Sequence, residues 1–277
     1  MKLYKTKDGI IIQKEDNFYK VNDNWDSFVN DDNLFDKLEK ITRVNDPIQN
    51  GQQLIDSSLE APIGSQELWA SGVTYIRSKQ GRQEESKKAG GADFYQHVYE
   101  AERPELFFKG TSNRIVGSEG KVRIRKDSSW DVPEPELTLL ITSNEKIVGY
   151  TIGNDMSSRS IEGENPLYLP QAKTYDGCAA IGPCFYITKG KLPADTLIDI
   201  NIKRNGAIVF EGDVKTNQIK RSFEELASFL YRECTFPNGS LLMTGTGIVP
   251  TSDFTLQSGD VISITIENIG TLVNEVE

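Results

Sequence analysis

Apolar and β-branched positions crowd two neighbouring runs near the middle of the chain. These are Leu137-Thr-Leu-Leu-Ile141 and Ile147-Val-Gly-Tyr-Thr-Ile152, separated by the polar stretch Thr142-Ser-Asn-Glu-Lys146. Two such runs flanking a polar turn predict a β-hairpin. Opposed residue numbers in an antiparallel pair sum to a constant. A turn centred between Asn144 and Glu145 sets that constant at 289 and places Asp155 opposite Glu134. Side chains alternate between the two faces of a strand, so Glu134 and Glu136 point the same way. The hairpin therefore brings three carboxylates, Glu134, Glu136 and Asp155, to one patch.

The rest of the pattern is strand-rich. Gly9–Gln13 and Phe18–Val21 read as short strands, and Leu34, Phe35, Leu38 and Ile41 fall on one face of a helix after the start signal Asp31-Asp32-Asn33. Turn-rich stretches at Asn45-Asp-Pro and Ala61-Pro-Ile-Gly predict a boundary, dividing the chain into a small N-terminal module, residues 1–62, and a main body, residues 63–277. In the body, strand-like runs recur at residues 68–75, 105–109, 122–125, 185–188, 197–203, 208–210, 241–244 and 261–266. Ser222 and Glu225 form a capping box ahead of a helix whose apolar face is Phe223, Leu226, Ala227 and Leu230. Residues 76–103 are highly charged, with Gly81 and a Gly90-Gly91 pair, and read as a solvated helix pair or a lid hinged at its glycines. Strands without regular βα alternation predict an α+β fold, mostly β, built as a mixed or antiparallel sheet roll rather than a doubly wound one.

Bulk composition narrows the function classes. A formal charge of −10 over 277 residues, with no block of Lys or Arg, argues against a nucleic-acid or anionic-membrane partner. No apolar stretch is long enough to span a bilayer, and Met1–Asp8 lacks the apolar core of a secretion signal. The three cysteines have no Cys-x-x-Cys spacing, so neither zinc nor a disulfide framework is expected and a reducing cytoplasm is the expected compartment. His97, the single histidine, lies in a helix-like run among aromatic residues and reads as structural or surface.

Candidate chemistry centres on the hairpin. Three converging carboxylates repel one another and shift upward in pKa unless a cation neutralises them. Oxygen-only ligation suits a hard divalent ion, Mg²⁺ first, with Mn²⁺ or Ca²⁺ as alternatives, and three protein oxygens leave positions open for a small-molecule ligand. Lys173 follows in Gln171-Ala-Lys-Thr-Tyr-Asp176, where a lysine can hold a substrate carboxylate or exchange a proton. Glu105 opens the apolar run Leu106-Phe-Phe108, and a carboxyl at the rim of an apolar pocket can serve as a general acid or as a salt-bridged strand start. Arg159 can bind substrate or pair with an acid near the carboxylates. The loop Thr244-Gly-Thr-Gly-Ile-Val-Pro250 lacks the ending of a P-loop; its backbone NH groups and Thr246 suit a substrate carboxylate better than a nucleotide.

Taken together, Glu134-Pro-Glu136, Asn154-Asp-Met-Ser-Ser-Arg159, Lys173-Thr-Tyr-Asp176, Gly182-Pro183 and Thr244-Gly-Thr246 resemble, in order and spacing, the fumarylacetoacetate hydrolase family over residues 68–277. The resemblance implies that family's fold, a homodimer or higher homo-oligomer, and Mg²⁺ on Glu134, Glu136 and Asp155. Many hydrolases of the family carry an Asn-Tyr-x-x-His-x-x-Glu segment that helps activate water. Here Ser78 and Gly81 stand where His and Glu would be. The stretches Arg103–Lys109, Trp130–Leu137 and Glu164–Gln171 are most like members that dehydrate 2-keto-3-deoxy sugar acids. The expectation is Mg²⁺-dependent dehydration of such an acid to 2-oxoglutarate semialdehyde. Lys173 would be the base at C3 and Glu105 the acid at the C4 hydroxyl, with Ser71, Gly72, Arg159 and Thr246 positioning the substrate. The alternatives are a C–C hydrolase or decarboxylase of an acylpyruvate or oxaloacetate-like substrate, and a non-catalytic protein that binds 2-oxo acids with its metal.

Overall fold

The structure, a computed structural model, describes residues 1–85 and 92–277. The Gly90-Gly91 pair read as a hinge lies outside the described residues. Strands β1 (Lys2–Thr6), β2 (Gly9–Lys14) and β3 (Asn17–Val21) open the chain and precede helices α1 (Trp25–Val29), α2 (Leu34–Val44) and α3 (Gly51–Ser58). β4 (Glu67–Gly72) leads to α4 (Ile76–Glu85) and α5 (Ala92–Glu100), and β5 (Glu105–Gly110) returns antiparallel beside β4. The short strands β6 (Ile115–Val116), β7 (Lys121–Val122) and β8 (Asp131–Val132) precede the central hairpin of β9 (Pro135–Ile141) and β10 (Ile147–Asp155). Next come β11 (Ser157–Ser158), α6 (Arg159–Glu164), α7 (Leu169–Lys173) and β12 (Ala179–Tyr186). β13 (Leu197–Arg204), β14 (Ala207–Lys215), α8 (Phe223–Tyr231), β15 (Ser240–Met243), β16 (Val261–Ile266) and β17 (Gly270–Val276) complete the chain.

Among the described residues, the larger sheet runs β3-β2-β1-β12-β10-β9-β15-β4-β5, with β6 beside β12, and a second sheet runs β14-β13-β16-β17-β7. Most neighbours are antiparallel, while β15–β4, β12–β6 and β17–β7 are parallel. This is the mixed-sheet α+β architecture that the strand pattern predicts. The first three strands continue the larger sheet through the pairs Lys2↔Tyr186 and Leu3↔Phe185.

β9 explains how the sheet is covered. Every residue from Pro135 to Ile141 is buried. Leu137, Leu139 and Ile141 share a core with Ile198, Ile200, Ile262, Ile264 and Leu272 of the second sheet. Leu140, on the opposite face, packs in a second core with Trp25, Phe28 and Leu38 of the N-terminal helices. A strand enclosed on both faces reads as a continuous apolar run, as Leu137–Ile141 does. Glu134, Glu136 and Thr138 lie on the Leu140 face by alternation, so the carboxylates sit where the apolar covering of that face ends.

The hairpin register matches its sequence reading at the site, by an indirect route. Near the turn, Ile147 faces Ile141, a sum one short of the expected constant. A bulge at Val148 restores 289, so Gly153 faces Glu136 and Asn154 faces Pro135. Glu134 and Asp155 then exchange backbone hydrogen bonds of 3.2 and 2.9 Å.

Candidate active site

Glu134, Glu136 and Asp155 are buried, and each offers a carboxylate oxygen within 4.8 Å of the others. Such a cluster is tolerable in a folded interior only if its charge is compensated. Three cationic side chains supply the compensation. Lys173, the last residue of α7, donates to Glu134 Oε2 at 3.0 Å, to Asp155 Oδ2 at 2.9 Å and to Ser157 Oγ at 2.5 Å. Arg159 Nη2 donates to Glu134 Oε1 at 2.6 Å. Lys109 Nζ lies 2.5 Å from Asp155 Oδ1. Glu136 receives a different partner, the Gly245 NH, at 2.6 Å from Oε2.

The electrostatics follow from that wiring. Burial opposes ionisation of Glu134, but Lys173 and Arg159 outweigh it and hold the carboxyl below its ordinary value. Glu136 is raised well above its ordinary value by burial and by the charges of Asp155 and Glu134. Burial also opposes the charge on Lys173; Asp155 and Glu134 reverse the effect and keep it an ammonium. Glu105 is raised by burial, with Arg82 acting in the opposite direction.

β5 carries Glu105 and Phe107 at alternate positions and therefore on one face, and a bulge follows at Lys109. Glu105 Oε2 is enclosed without a hydrogen-bond partner among the described residues, as is Ser71 Oγ on β4. The Phe107 ring lies under Lys173, its centroid 5.5 Å from Nζ. Gly72 pairs with Glu105 across β4–β5. Thr246 Oγ1 closes its own turn, accepting from the Ile248 NH at 3.1 Å and donating to the Ile248 carbonyl at 3.2 Å. The loop's NH at Gly245 is thus aimed at Glu136, while the Thr246 hydroxyl serves the loop itself. His97 is exposed on α5.

The charged stretch after Tyr75 forms α4 and α5, and Arg82 of α4 reaches into the protein. Its guanidinium ion-pairs with Glu162 of α6 and lies 5.6 Å from the Tyr95 ring centroid. Glu162 Oε2 is in turn 3.8 Å from Arg159 Nε. Charges alternate from Arg82 through Glu162 and Arg159 to Glu134. At position 78, Ser78 Oγ accepts from the Tyr75 NH at 3.1 Å and donates to the Tyr75 carbonyl at 2.8 Å, so it caps the start of α4.

Sequence reasoning missed Lys109, Ser157, Arg82 and Glu162. Lys109 did leave a signal, an ionisable residue ending the apolar run Leu106-Phe-Phe108. Glu162 lies three residues after Arg159, a spacing that places both on one helix face. Arg82 left none among the basic residues around it.

Three buried oxygen donors with no sulfur or imidazole fit a hard divalent cation such as Mg²⁺. Residues 74–277 match the family described as "Fumarylacetoacetate (FAA) hydrolase C-terminal". A "Probable 2-keto-3-deoxyxylonate dehydratase" of Haloferax volcanii is 48% identical over 223 residues, 80% of this chain and 76% of the relative. A "2-dehydro-3-deoxy-D-arabinonate dehydratase" of Saccharolobus solfataricus is 45% identical over 228 residues, 81% of this chain and 76% of the relative. Among solved structures, "2-keto-3-deoxy-D-arabinonate dehydratase complexed with magnesium and 2,5-dioxopentanoate" aligns with a TM-score of 0.85 and 37% identity, covering 100% of this chain and 99% of that one. By family match, sequence identity and fold together, the chain belongs to the fumarylacetoacetate hydrolase family.

Proposed function

We propose that this chain is a Mg²⁺-dependent dehydratase that converts a 2-keto-3-deoxy pentonate, of the D-arabinonate or D-xylonate type, into 2,5-dioxopentanoate, the 2-oxoglutarate semialdehyde. The observation that carries the reading is the β5 face. It sets the carboxyl of Glu105, whose Oε2 is enclosed and whose pKa burial raises, on the same strand face as the ring beneath Lys173. Identities of 45–48% to relatives named as dehydratases of these acids support the substrate class.

Glu134, Glu136 and Asp155 would hold the ion. Bound there, Mg²⁺ would supply Lewis-acid polarisation of the substrate's carboxylate and 2-keto oxygens, which acidifies the C3 hydrogen. Lys173 takes the C3 proton. Asp155 and Glu134 hold the Lys173 amine at the cluster, and a divalent cation shared by those carboxylates would weaken their support for its charged form. Glu105 gives its proton to the C4 hydroxyl as the C4–O bond breaks, so one water leaves for each C3 hydrogen lost. The unsaturated 2-oxo acid then isomerises to the aldehyde. Ser71 completes the proposed substrate contacts, while Arg159 fixes Glu134, Gly72 leaves space for Glu105 and Thr246 closes the loop whose Gly245 NH meets Glu136.

This reading includes a catalytic body from about residue 63, a homodimeric assembly and a cytoplasmic location. The family match over residues 74–277 supports the first of these, and no described helix is long and apolar enough to cross a membrane. The decisive experiment is turnover of 2-keto-3-deoxypentonates by metal-stripped protein with Mg²⁺ restored, following the aldehyde with an NAD-dependent dehydrogenase. Mg²⁺-dependent aldehyde formation is expected. Cleavage of an acylpyruvate instead would make the chain a hydrolase, and binding of 2-oxo acids without turnover of either would make it a binding protein.

A further inference from the structure

Lys109 is fully buried, and nothing in the reaction as written uses it. An ammonium with no access to water must find several acceptors, and the ones it has are informative. Its Nζ donates to the Lys173 carbonyl and, at 2.9 Å, to the Met156 carbonyl, and lies 2.5 Å from Asp155 Oδ1. The Lys109 carbonyl accepts from Cys178 Sγ at 3.4 Å, which fixes the strand end from the other side. One charge thus ties together β5, the end of β10 and the last residue of α7.

The division of Asp155 between two lysines follows. Lys109 takes Oδ1, and Lys173 takes Oδ2 at 2.9 Å. The Lys173 carbonyl lies at the C-terminus of α7, where intrahelical donors run out and a cation is favoured. Lys109 therefore holds the backbone of Lys173 while holding the carboxylate to which the Lys173 side chain is bonded. The side chain of Lys173 must span a gap both of whose ends rest on the same ammonium.

We propose that Lys109 is a positioning residue that acts through Lys173. By binding the Lys173 carbonyl and Asp155 Oδ1 at once, it sets the Lys173 amine at the edge of the carboxylate cluster, where the C3 hydrogen of a 2-oxo acid is exchanged. The inference rests on the reading of Lys173 as the residue that moves that proton.

The test is Lys109→Met in the full chain with three measurements. The first is Mg²⁺-dependent exchange of the C3 hydrogens of 2-oxobutanoate with D₂O, followed by proton NMR; this acid has no C4 hydroxyl to lose, so it reports proton transfer alone. The second is Mg²⁺ affinity by calorimetry, and the third is kcat and KM for dehydration. Loss of a neutralising charge beside Asp155 leaves Mg²⁺ binding as tight or tighter, whereas collapse of the site weakens it. Exchange and kcat falling at least tenfold, with KM and Mg²⁺ affinity held or improved, is the expected result. A fall of less than tenfold overturns the proposal, as does exchange falling in parallel with Mg²⁺ affinity.

Should Lys109→Met not fold, Lys109→Gln carries the test by the same criteria, because its amide keeps two donors without the charge. A parent protein that exchanges 2-oxobutanoate but dehydrates no sugar acid would overturn the substrate reading and leave this inference standing. A parent with Mg²⁺ bound and no exchange would overturn the inference together with the role of Lys173.

Discussion

Gly72 and Glu105 face each other across β4 and β5, and a Cβ built on Gly72 would fall 2.0 Å from Glu105 Oε2. The glycine is there because the carboxyl occupies the space that any side chain would need. Gly72→Ala must therefore displace the Glu105 carboxyl from its pocket. The dehydration kcat should fall at least tenfold, with Mg²⁺ affinity by calorimetry unchanged. Undiminished kcat in that variant would remove Glu105 from the role of acid.

Glu136 predicts an exchange of stability for function. Burial and the neighbouring charges of Asp155 and Glu134 raise its folded value above its ordinary 4.5. A group raised on folding contributes stability at low pH and loses it as pH climbs through the folded value. Glu136→Gln removes that loss. Without metal, the variant should melt higher than the parent near pH 8, by about 2–4 °C for each kcal/mol relieved, and the gap should close toward pH 4.5. Mg²⁺ binding should vanish in the same variant. Glu134 has the opposite sign, being held low on folding, so its contribution is lost only in acid.

Asp131 offers a control away from the carboxylate cluster. Burial pushes its carboxyl up to about 6, and Oδ1 has no hydrogen-bond partner among the described residues. Its stabilising contribution is complete below the unfolded value and gone once pH passes about 6. Asp131→Asn should stabilise the protein near pH 8 by on the order of 1–3 kcal/mol and do little near pH 5. Thermal unfolding at the two pH values checks this.

Arg82 secures α4 to α6 through Glu162. Removing one partner of a buried ion pair costs about 3–5 kcal/mol, because the other charge stays behind. Arg82→Met should leave the sheets intact while α4 opens. Hydrogen exchange confined to residues 76–84 should accelerate and KM should rise. Uniform loss of protection across β9 and β10 would show that the pair supports the whole fold instead.

The hairpin was legible because its information is local. Alternation and a polar turn set which residues oppose which, and even the bulge at Val148 only restored the register that a simple turn implies. The motifs of the carboxylate strand and of Lys173 were legible for the same reason. The strand order was not, because β1 pairs with β12 and β15 lies between β9 and β4, neighbours fixed by packing over long separations. Lys109 was missed on that account. It meets Lys173 and Met156 across 64 and 47 positions, and nothing adjacent to it in sequence announces either partner.

The position of β1 between β2 and β12 also has a consequence for how the chain assembles. β1, β2 and β3 are joined by tight turns and can form as they emerge, since each pairs with its neighbour in sequence. Their link to the rest of the sheet is β12, whose Phe185 and Tyr186 are synthesised more than 180 residues after Leu3 and Lys2. Closing so long a loop is slow, and until it closes one edge of β1 presents unpaired backbone groups. The meander is thus an early-formed piece with a late-arriving partner, and the interval between the two is when the nascent chain is most open to pairing with a neighbour.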